Sequence, residues 1–169
     1  MSGLSIAARF PAFATAALVA AVAFTSPPAS AQRAGPFSNL AGRWEGGGSI
    51  SISGTNERIR CRANYQVAGG GSTVGLELRC ASDSYKFELV GNVRYQDGEV
   101  RGDWSERTRG AAGQVSGRVK GDQTDVRVEG PNFIALLSLI TRGDKQSISI
   151  KTPSGSQVSE ANITLNRRG

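Results

Sequence analysis

The sequence predicts an all-β fold, either an antiparallel meander β-barrel or a barrel-like sandwich of about 8–10 strands. Short runs in which apolar and polar residues alternate recur along the chain, and tight turns rich in glycine and aspartate separate them. The chain contains 22 glycines, and no stretch after residue 40 combines a 3.6-residue apolar period with helix caps. A closed arrangement is economical because it leaves few strand edges open to other chains.

The first strand is predicted to begin near Leu40. Its glycines indicate a strongly bent or bulged strand, as the closure of a barrel requires. The inward face of this strand consists of Trp44, Gly46, Gly48, Ile50 and Ile52.

A hairpin over residues 58–81 is predicted next, because two alternating runs flank a glycine-rich turn. If Val67 faces Val74, the next inward pairs are Tyr65 with Leu76, Ala63 with Leu78, and Cys61 with Cys80. The two cysteines of the chain then lie opposite each other, with Cα atoms roughly 4.5–5.5 Å apart, a distance that a disulfide spans. Two buried reduced cysteines are the alternative.

A second hairpin is predicted to turn at Asp97-Gly98. Pairing Tyr95 with Val100 places Gly91 opposite Trp104, so that the indole can lie over the glycine. Residues 107–113 predict a polar, flexible loop, and residues 152–156 predict a turn. Residues 133–140 are apolar on both faces, which indicates a strand that is covered on its outer side or lies in a partner interface. The inward residues of the other late strands are Val115, Gly117, Val119, Val126, Val128, Ile148, Ile150, Ala161, Ile163 and Leu165.

The amino terminus predicts export. Residues 1–31 resemble a cleaved signal peptide, with a single charge at Arg9, a short apolar run and a final Ala29-Ser30-Ala31. Residues 32–39 are predicted to be a flexible leader, and residues 40–169 a single β-barrel domain. No later apolar run is long enough to span a bilayer. We therefore expect a periplasmic or secreted protein, an oxidising location that favours the disulfide.

Two sets of side chains are candidates for binding. The first set is aromatic and faces inward, where it lines an apolar pocket in a roomy barrel or fills the core in a tight one, as is usual for barrels of this size. It consists of Trp44, Tyr65, Tyr85, Phe87, Tyr95 and Trp104. The second set is basic and faces outward, where it binds an anionic partner or forms a solvated surface neutralised by nearby glutamates. It consists of Arg58, Arg60, Arg62, Arg79, Arg94 and Arg101.

Catalysis is not expected. The chain has no histidine, which removes the commonest general base and metal ligand. No nucleophile elbow, metal-spaced ligand set or phosphate loop is present, and no cofactor is predicted. Glu45, Asp103 and Glu106 lie beside the tryptophans and could perform acid–base chemistry on a glycan, but they are expected to be outward residues at strand ends.

Gly42-Arg43-Trp44 at the start of the first strand resembles the Gly-x-Trp signature of lipocalins and related calycins. That resemblance implies a tryptophan that closes one end of a barrel whose interior holds a small apolar ligand. Together with the cysteine spacing, the same residues resemble the periplasmic metalloprotease inhibitors, whose inhibitory segment would correspond to residues 32–39. The whole chain is also similar to small exported proteins of unknown function.

The sequence therefore predicts an exported, non-catalytic barrel that binds a small apolar ligand or an anionic envelope component. A periplasmic protein-binding module that resembles a protease inhibitor is the alternative. A protein is a further candidate partner, whether the barrel binds a ligand or acts as a protein-binding module. Nucleic acid is not expected as a partner, because of the export signal and the modest formal charge of +6.

Overall fold

Ten strands and two short 3-10 helices make up the part of the chain that the computed structural model describes, residues 34–154 and 156–169. The predicted signal peptide, the first two residues of the predicted leader and Gly155 lie outside the described residues. The 3-10 helices are Ser38–Leu40 and Gly69–Gly71. The strands are β1 (Gly42–Ile52), β2 (Thr55–Ala68), β3 (Thr73–Ala81), β4 (Lys86–Gln96), β5 (Glu99–Glu106), β6 (Ala111–Lys120), β7 (Gln123–Glu129), β8 (Ile134–Arg142), β9 (Lys145–Ser154) and β10 (Val158–Arg168).

The strands form a closed barrel in which every strand pairs antiparallel with its neighbours in sequence, and β10 returns to pair with β1. The prediction of a closed barrel is therefore confirmed, and the alternative of a two-sheet sandwich is wrong. Closure gives every described strand two hydrogen-bonded neighbours, so none is left as an edge. One end, which we call the Trp44 end, carries the start of β1 and the β4–β5, β6–β7 and β8–β9 turns. The other, the Tyr85 end, carries the β1–β2, β3–β4, β5–β6 and β7–β8 connections.

The predicted register of the β2–β3 hairpin is confirmed, from Val67 opposite Val74 to Cys61 opposite Cys80. The two cysteines form a disulfide between directly opposed positions, and both are buried on the inner face of the barrel. By closing a loop of about 20 residues, such a bond removes conformational freedom from the unfolded chain and contributes about 3 kcal/mol in the chain-entropy description. The disulfide therefore joins β2 and β3 from inside the barrel.

The register of the β4–β5 hairpin is confirmed as well, with Tyr95 opposite Val100 and Gly91 opposite Trp104. On the other side of β5, Trp104 faces a second glycine, Gly113 of β6. The indole N–H reaches past this glycine and donates a hydrogen bond to the carbonyl oxygen of Glu129 on β7, at 3.0 Å. A large ring thus lies along the inner wall because both flanking strands have no side chain at that level.

The bulge that the sequence predicts at the glycines of β1 does not occur there. The register with β2 is continuous from Gly42 to Ile52, and the register with β10 shifts only between Ser51 and Ile52. The glycines serve close approach instead: a Cβ atom on Gly48 would lie 1.8 Å from the carbonyl oxygen of Asn162. The absence of side chains lets the backbone of β1 pack tightly against that of β10.

Residues 34–39 are packed against the barrel, whereas the sequence predicts a flexible leader. The backbone N–H groups of Gly35 and Phe37 donate to the carbonyl oxygens of Gly70 and Gly71 at 2.7 and 3.0 Å. Phe37 is only 3% exposed, and its ring meets Tyr95 edge-on with centroids 6.4 Å apart. The buried ring and the two backbone hydrogen bonds together hold this short segment against the barrel.

Two connections are shorter than predicted. The β5–β6 loop occupies 107–110, because residues 111–113 already pair with β5. The predicted turn at 152–156 begins later, because β9 continues to Ser154. At the start of β8, by contrast, Phe133 lies just outside the strand predicted to include it.

Candidate functional site: the barrel interior

Two cavities occupy the interior of the barrel. The inner cavity lies toward the Trp44 end and has a volume of about 360 Å³. The outer cavity, about 530 Å³, lies at the Tyr85 end. Both volumes are within the roughly 300–1,000 Å³ typical of small-molecule sites. Leu89 and Trp104 contribute to both walls, so the two cavities meet at these side chains.

The lining of the inner cavity is mainly aliphatic. It is contributed by strands from β2 to β9, whose alternate residues point inward, and it is capped by Phe37 and Leu40. The aliphatic lining residues on the strands are Val74, Leu76, Leu89, Val93, Val100, Val115, Val126, Val128, Leu137 and Leu139. Such a wall favours an apolar ligand, because any polar group placed against it would lose its hydrogen bonds to water.

The six aromatic candidates all face inward, but they occupy different places. Two of them pack away from the cavities: Trp44 is completely buried, and Tyr95 covers Phe37. The other four line cavity walls. Tyr65 lines the inner cavity, Tyr85 and Phe87 line the outer one, and Trp104 lines both. The interior therefore combines the packed core and the pocket that the sequence leaves as alternatives.

A buried polar network interrupts the apolar wall of the inner cavity. The Tyr65 hydroxyl donates to Oε1 of Gln146 at 2.8 Å, and Nε2 of Gln146 donates to the Thr141 hydroxyl at 3.1 Å. Gln146 is completely buried, and burial raises the pKa of Tyr65 to about 12, so the phenol stays protonated and remains a donor. These groups could hold one polar substituent of an otherwise apolar ligand.

The Trp44 end is closed by side chains from both termini of the barrel. The Trp44 indole N–H donates to the Leu40 carbonyl oxygen at 2.7 Å, and the guanidinium of Arg167 lies 4.5 Å from the centroid of the Trp44 ring system. Arg167 also donates to the carbonyl oxygens of Asn39 and Ala41. One arginine thereby joins the last strand to the segment that precedes the first.

The Tyr85 end has a rim of aromatic and basic side chains. The guanidinium of Arg109 lies 4.2 Å from the centroid of the Tyr85 ring and donates to the Lys86 carbonyl oxygen. Phe133 covers Trp104 from the β7–β8 connection, with ring centroids 5.5 Å apart. All these side chains except Lys86 line the outer cavity.

Glu106 is buried beneath this rim, which corrects the prediction of an outward residue at a strand end. It is 8% exposed and shares the inward face of β5 with Trp104. Its carboxylate accepts hydrogen bonds from the backbone N–H groups of Glu88, Thr108 and Arg109 at 3.0, 2.9 and 2.7 Å. Burial alone would raise the pKa of Glu106, but the hydrogen bonds from Thr108, Glu88 and Arg109 together outweigh it and lower the pKa.

We expect Glu106→Gln to destabilise the protein by about 2 kcal/mol at neutral pH. The side-chain NH₂ group of glutamine would point at a backbone N–H group that now donates to the carboxylate, and two donors cannot form a hydrogen bond. The folded-state pKa of Glu106 is depressed, so its contribution is complete above the unfolded-state pKa and is lost as the pH falls through the folded-state value. Urea unfolding of both proteins from pH 7 to pH 3 should show the difference shrinking below about pH 4.5. Glu99→Gln, at the exposed start of β5, is the control, and a difference independent of pH would contradict this role.

The three carboxylates considered for catalysis do not converge. Glu45 lies on the outer face of β1 and pairs with Arg62 and Arg168, while Glu106 is inside the barrel on β5. Asp103 is exposed on β5. Within the described residues, no group of three or more histidine, cysteine, aspartate or glutamate side chains is arranged to hold a metal ion. None of the helices in the described part of the chain has the length and apolar character needed to cross a membrane.

The six candidate arginines are exposed and fall into two groups. Arg58, Arg60 and Arg62 lie on β2, and Arg79 lies opposite Arg62 on β3. The second group consists of Arg94 and Arg101, which face each other on the β4–β5 hairpin. Arg94 is six residues further along β4 than Glu88, the partner of Arg79, and so belongs to the Trp44 end. The structure therefore divides the single basic face that the sequence predicts.

Comparison with known proteins adds no assignment. Neither the family models nor the curated proteins compared with this chain match it.

Proposed function

We propose that this protein binds one small, largely apolar molecule inside its barrel and acts as a carrier or sensor of that molecule. The observation that supports the proposal is the inner cavity of about 360 Å³, which is lined mainly by aliphatic side chains. The Tyr65–Gln146–Thr141 network suits a ligand that carries one hydroxyl or carbonyl group. The ligand enters from the Tyr85 end.

The barrel geometry supports a calycin-like assignment. A closed antiparallel meander with a completely buried Trp44 at the start of its first strand is compatible with that type of barrel. The disulfide suits an exported protein, since such bonds persist in oxidising compartments. A protease inhibitor of the kind that the sequence also resembles would use a protruding amino-terminal segment, whereas residues 34–39 are packed on the barrel. Binding without catalysis remains part of the proposal.

Titration with an apolar fluorophore tests the proposed function. We expect N-phenyl-1-naphthylamine to bind at a single saturable site with enhanced emission and with quenching of tryptophan, because Trp104 lines both cavities. This probe is uncharged, so the arginines on the outer surface do not attract it. Emission that rises linearly without saturation would contradict an interior site.

A further inference from the structure

A groove on the outer surface of the barrel, distinct from the interior, carries a strong excess of positive charge. It lies over strands β10, β1, β2, β3 and β4 and has a volume of about 690 Å³. Its lining contains two carboxylates, Glu45 and Glu88. The positively charged side chains of its lining are Arg60, Arg62, Arg79, Lys86, Arg107 and Arg168.

The two carboxylates neutralise only part of this charge. Glu45 pairs with both Arg62 and Arg168, at 3.5 and 3.3 Å, and Glu88 pairs with Arg79 at 3.7 Å. The remaining cations of the groove, Arg60, Lys86 and Arg107, form no ion pair with any residue in 34–154 or 156–169. The groove thus keeps a field that attracts anions.

Two of these cations lie directly opposite each other across the sheet, although each also contacts a glutamate. Arg62 and Arg79 face each other directly on adjacent strands, and like charges so placed are destabilising. Their side chains are 81% and 70% exposed, so they are available to a ligand. On the inner face of the same two strands the disulfide joins the residues that precede Arg62 and follow Arg79, which fixes the spacing of the pair.

The shape of the groove indicates an extended ligand. Neighbouring strands lie about 4.8 Å apart, so the span from β10 to β4 is about 20 Å. Positive charge occurs along this whole span rather than at one point. The structure assigns the groove to a linear polyanion, and we propose that the polyanion is an acidic polysaccharide whose carboxylates pair with the arginines.

The lining favours a polysaccharide over a nucleic acid. Proteins that bind single-stranded nucleic acid stack bases on exposed aromatic rings. The one aromatic residue in the groove lining, Phe87, belongs to the inward face of β4 and is half-buried. The groove therefore offers charge and hydrogen-bond donors without a stacking platform.

The barrel supplies a matched control in its second arginine pair. Arg94 and Arg101 also face each other on adjacent strands, but the surface around them contains the carboxylates of Asp97, Glu99 and Asp103. Replacing this pair removes the same number of charges from the same kind of position. A difference between the two double variants therefore reports the groove and not the overall charge.

Binding of polygalacturonate at low salt, measured by isothermal titration calorimetry, tests the proposal. We expect Arg62→Gln/Arg79→Gln to weaken binding about tenfold or more, and Arg94→Gln/Arg101→Gln to change it less than twofold. Arg60→Gln/Lys86→Gln provides a second variant of the groove, and thermal unfolding verifies that each protein is folded. Binding should also weaken as salt rises.

Three results would overturn the proposal: absence of binding, equal losses in the two arginine pairs, or tighter binding of a single-stranded DNA oligonucleotide than of polygalacturonate. Neutral dextran should not bind. Because the groove variants change outward side chains that do not line the cavities, a failure here leaves the fluorophore result unchanged.

Discussion

Gly113→Ala should be among the most destabilising single-methyl additions that this barrel can receive. A Cβ atom at position 113 would lie 1.8 Å from the carbonyl oxygen of Glu129 and 2.9 Å from Nε1 of Trp104. Those two atoms are hydrogen-bonded to each other, so the methyl group would strike both partners of one bond. Because the first obstacle is backbone, β6 and β7 would have to separate, and we expect a loss of about 3 kcal/mol or more.

Gly75→Ala is the matched control. Gly75 also lies within a strand, and the nearest atom to its Cβ position is Oδ1 of Asn92 at 3.6 Å, an ordinary contact. We expect this substitution to be neutral or slightly stabilising, because alanine reduces the freedom of the unfolded chain. Denaturant unfolding followed by tryptophan fluorescence compares the two variants. Equal stability would contradict the close packing of Trp104 over glycine.

Leu137→Trp should abolish most binding of an apolar ligand. Leu137 lines the inner cavity, and its neighbours Val126 and Ile150 are on the same inward face. An indole at this position would occupy space that the ligand needs, so we expect the affinity for N-phenyl-1-naphthylamine to fall about tenfold or more, a change of about 1.4 kcal/mol. The existing cavity should accommodate part of the larger ring and limit the cost to stability.

The adjacent residue on the same strand provides the control. Leu136 points outward and is 48% exposed. Leu136→Trp adds the same side chain and the same fluorophore to β8 without entering the barrel, so the affinity for the probe should remain unchanged. Fluorophore titrations and thermal unfolding of both variants separate a blocked site from a damaged fold. Equal affinities in the two variants would place the bound probe elsewhere.

The register of the two central hairpins could be predicted because local rules determine it. A period of two residues decides which side chains share a face, and a short turn decides which residues face each other. The pairing of Cys61 with Cys80 follows directly from these two facts. The sequence favours closure of the sheet because a closed sheet leaves few open strand edges, but only the pairing of β1 with β10 distinguishes a barrel from a sandwich.

The polar residues of the interior were missed because their partners are remote in sequence. Gln146 shares its face with Ile148 and Ile150, so the alternation indicates an inward position, but no neighbouring residue in the sequence indicates a partner for a buried amide. What makes its burial tolerable is the hydroxyl of Tyr65, 81 residues away. Glu106 lies two residues after Trp104, so the alternation of β5 likewise indicates that it shares the inward face. A polar residue at an inward position of a strand should therefore be interpreted as buried and hydrogen-bonded to a residue elsewhere in the chain.

The cavities and the packed leader depend on features that no local pattern encodes. The size of a barrel interior follows from the number and tilt of all its strands together. The role of Gly48 as a point of close approach depends in the same way on the position of Asn162 in the last strand. The sequence predicts a mobile segment at Phe37 because this residue precedes the alternating runs, whereas its burial depends on contact with Tyr95, which is remote in the chain.

Native mass spectrometry tests directly whether the interior of the barrel holds one small molecule. The protein is purified, denatured, refolded and then incubated with a lipid extract of its own host. We expect complexes that contain one bound molecule per barrel and that dissociate on denaturation. Leu137→Trp should lose these complexes, while Leu136→Trp should keep them. A spectrum that shows only the mass of the free polypeptide, or complexes that survive equally in both variants, would contradict a ligand held in the interior.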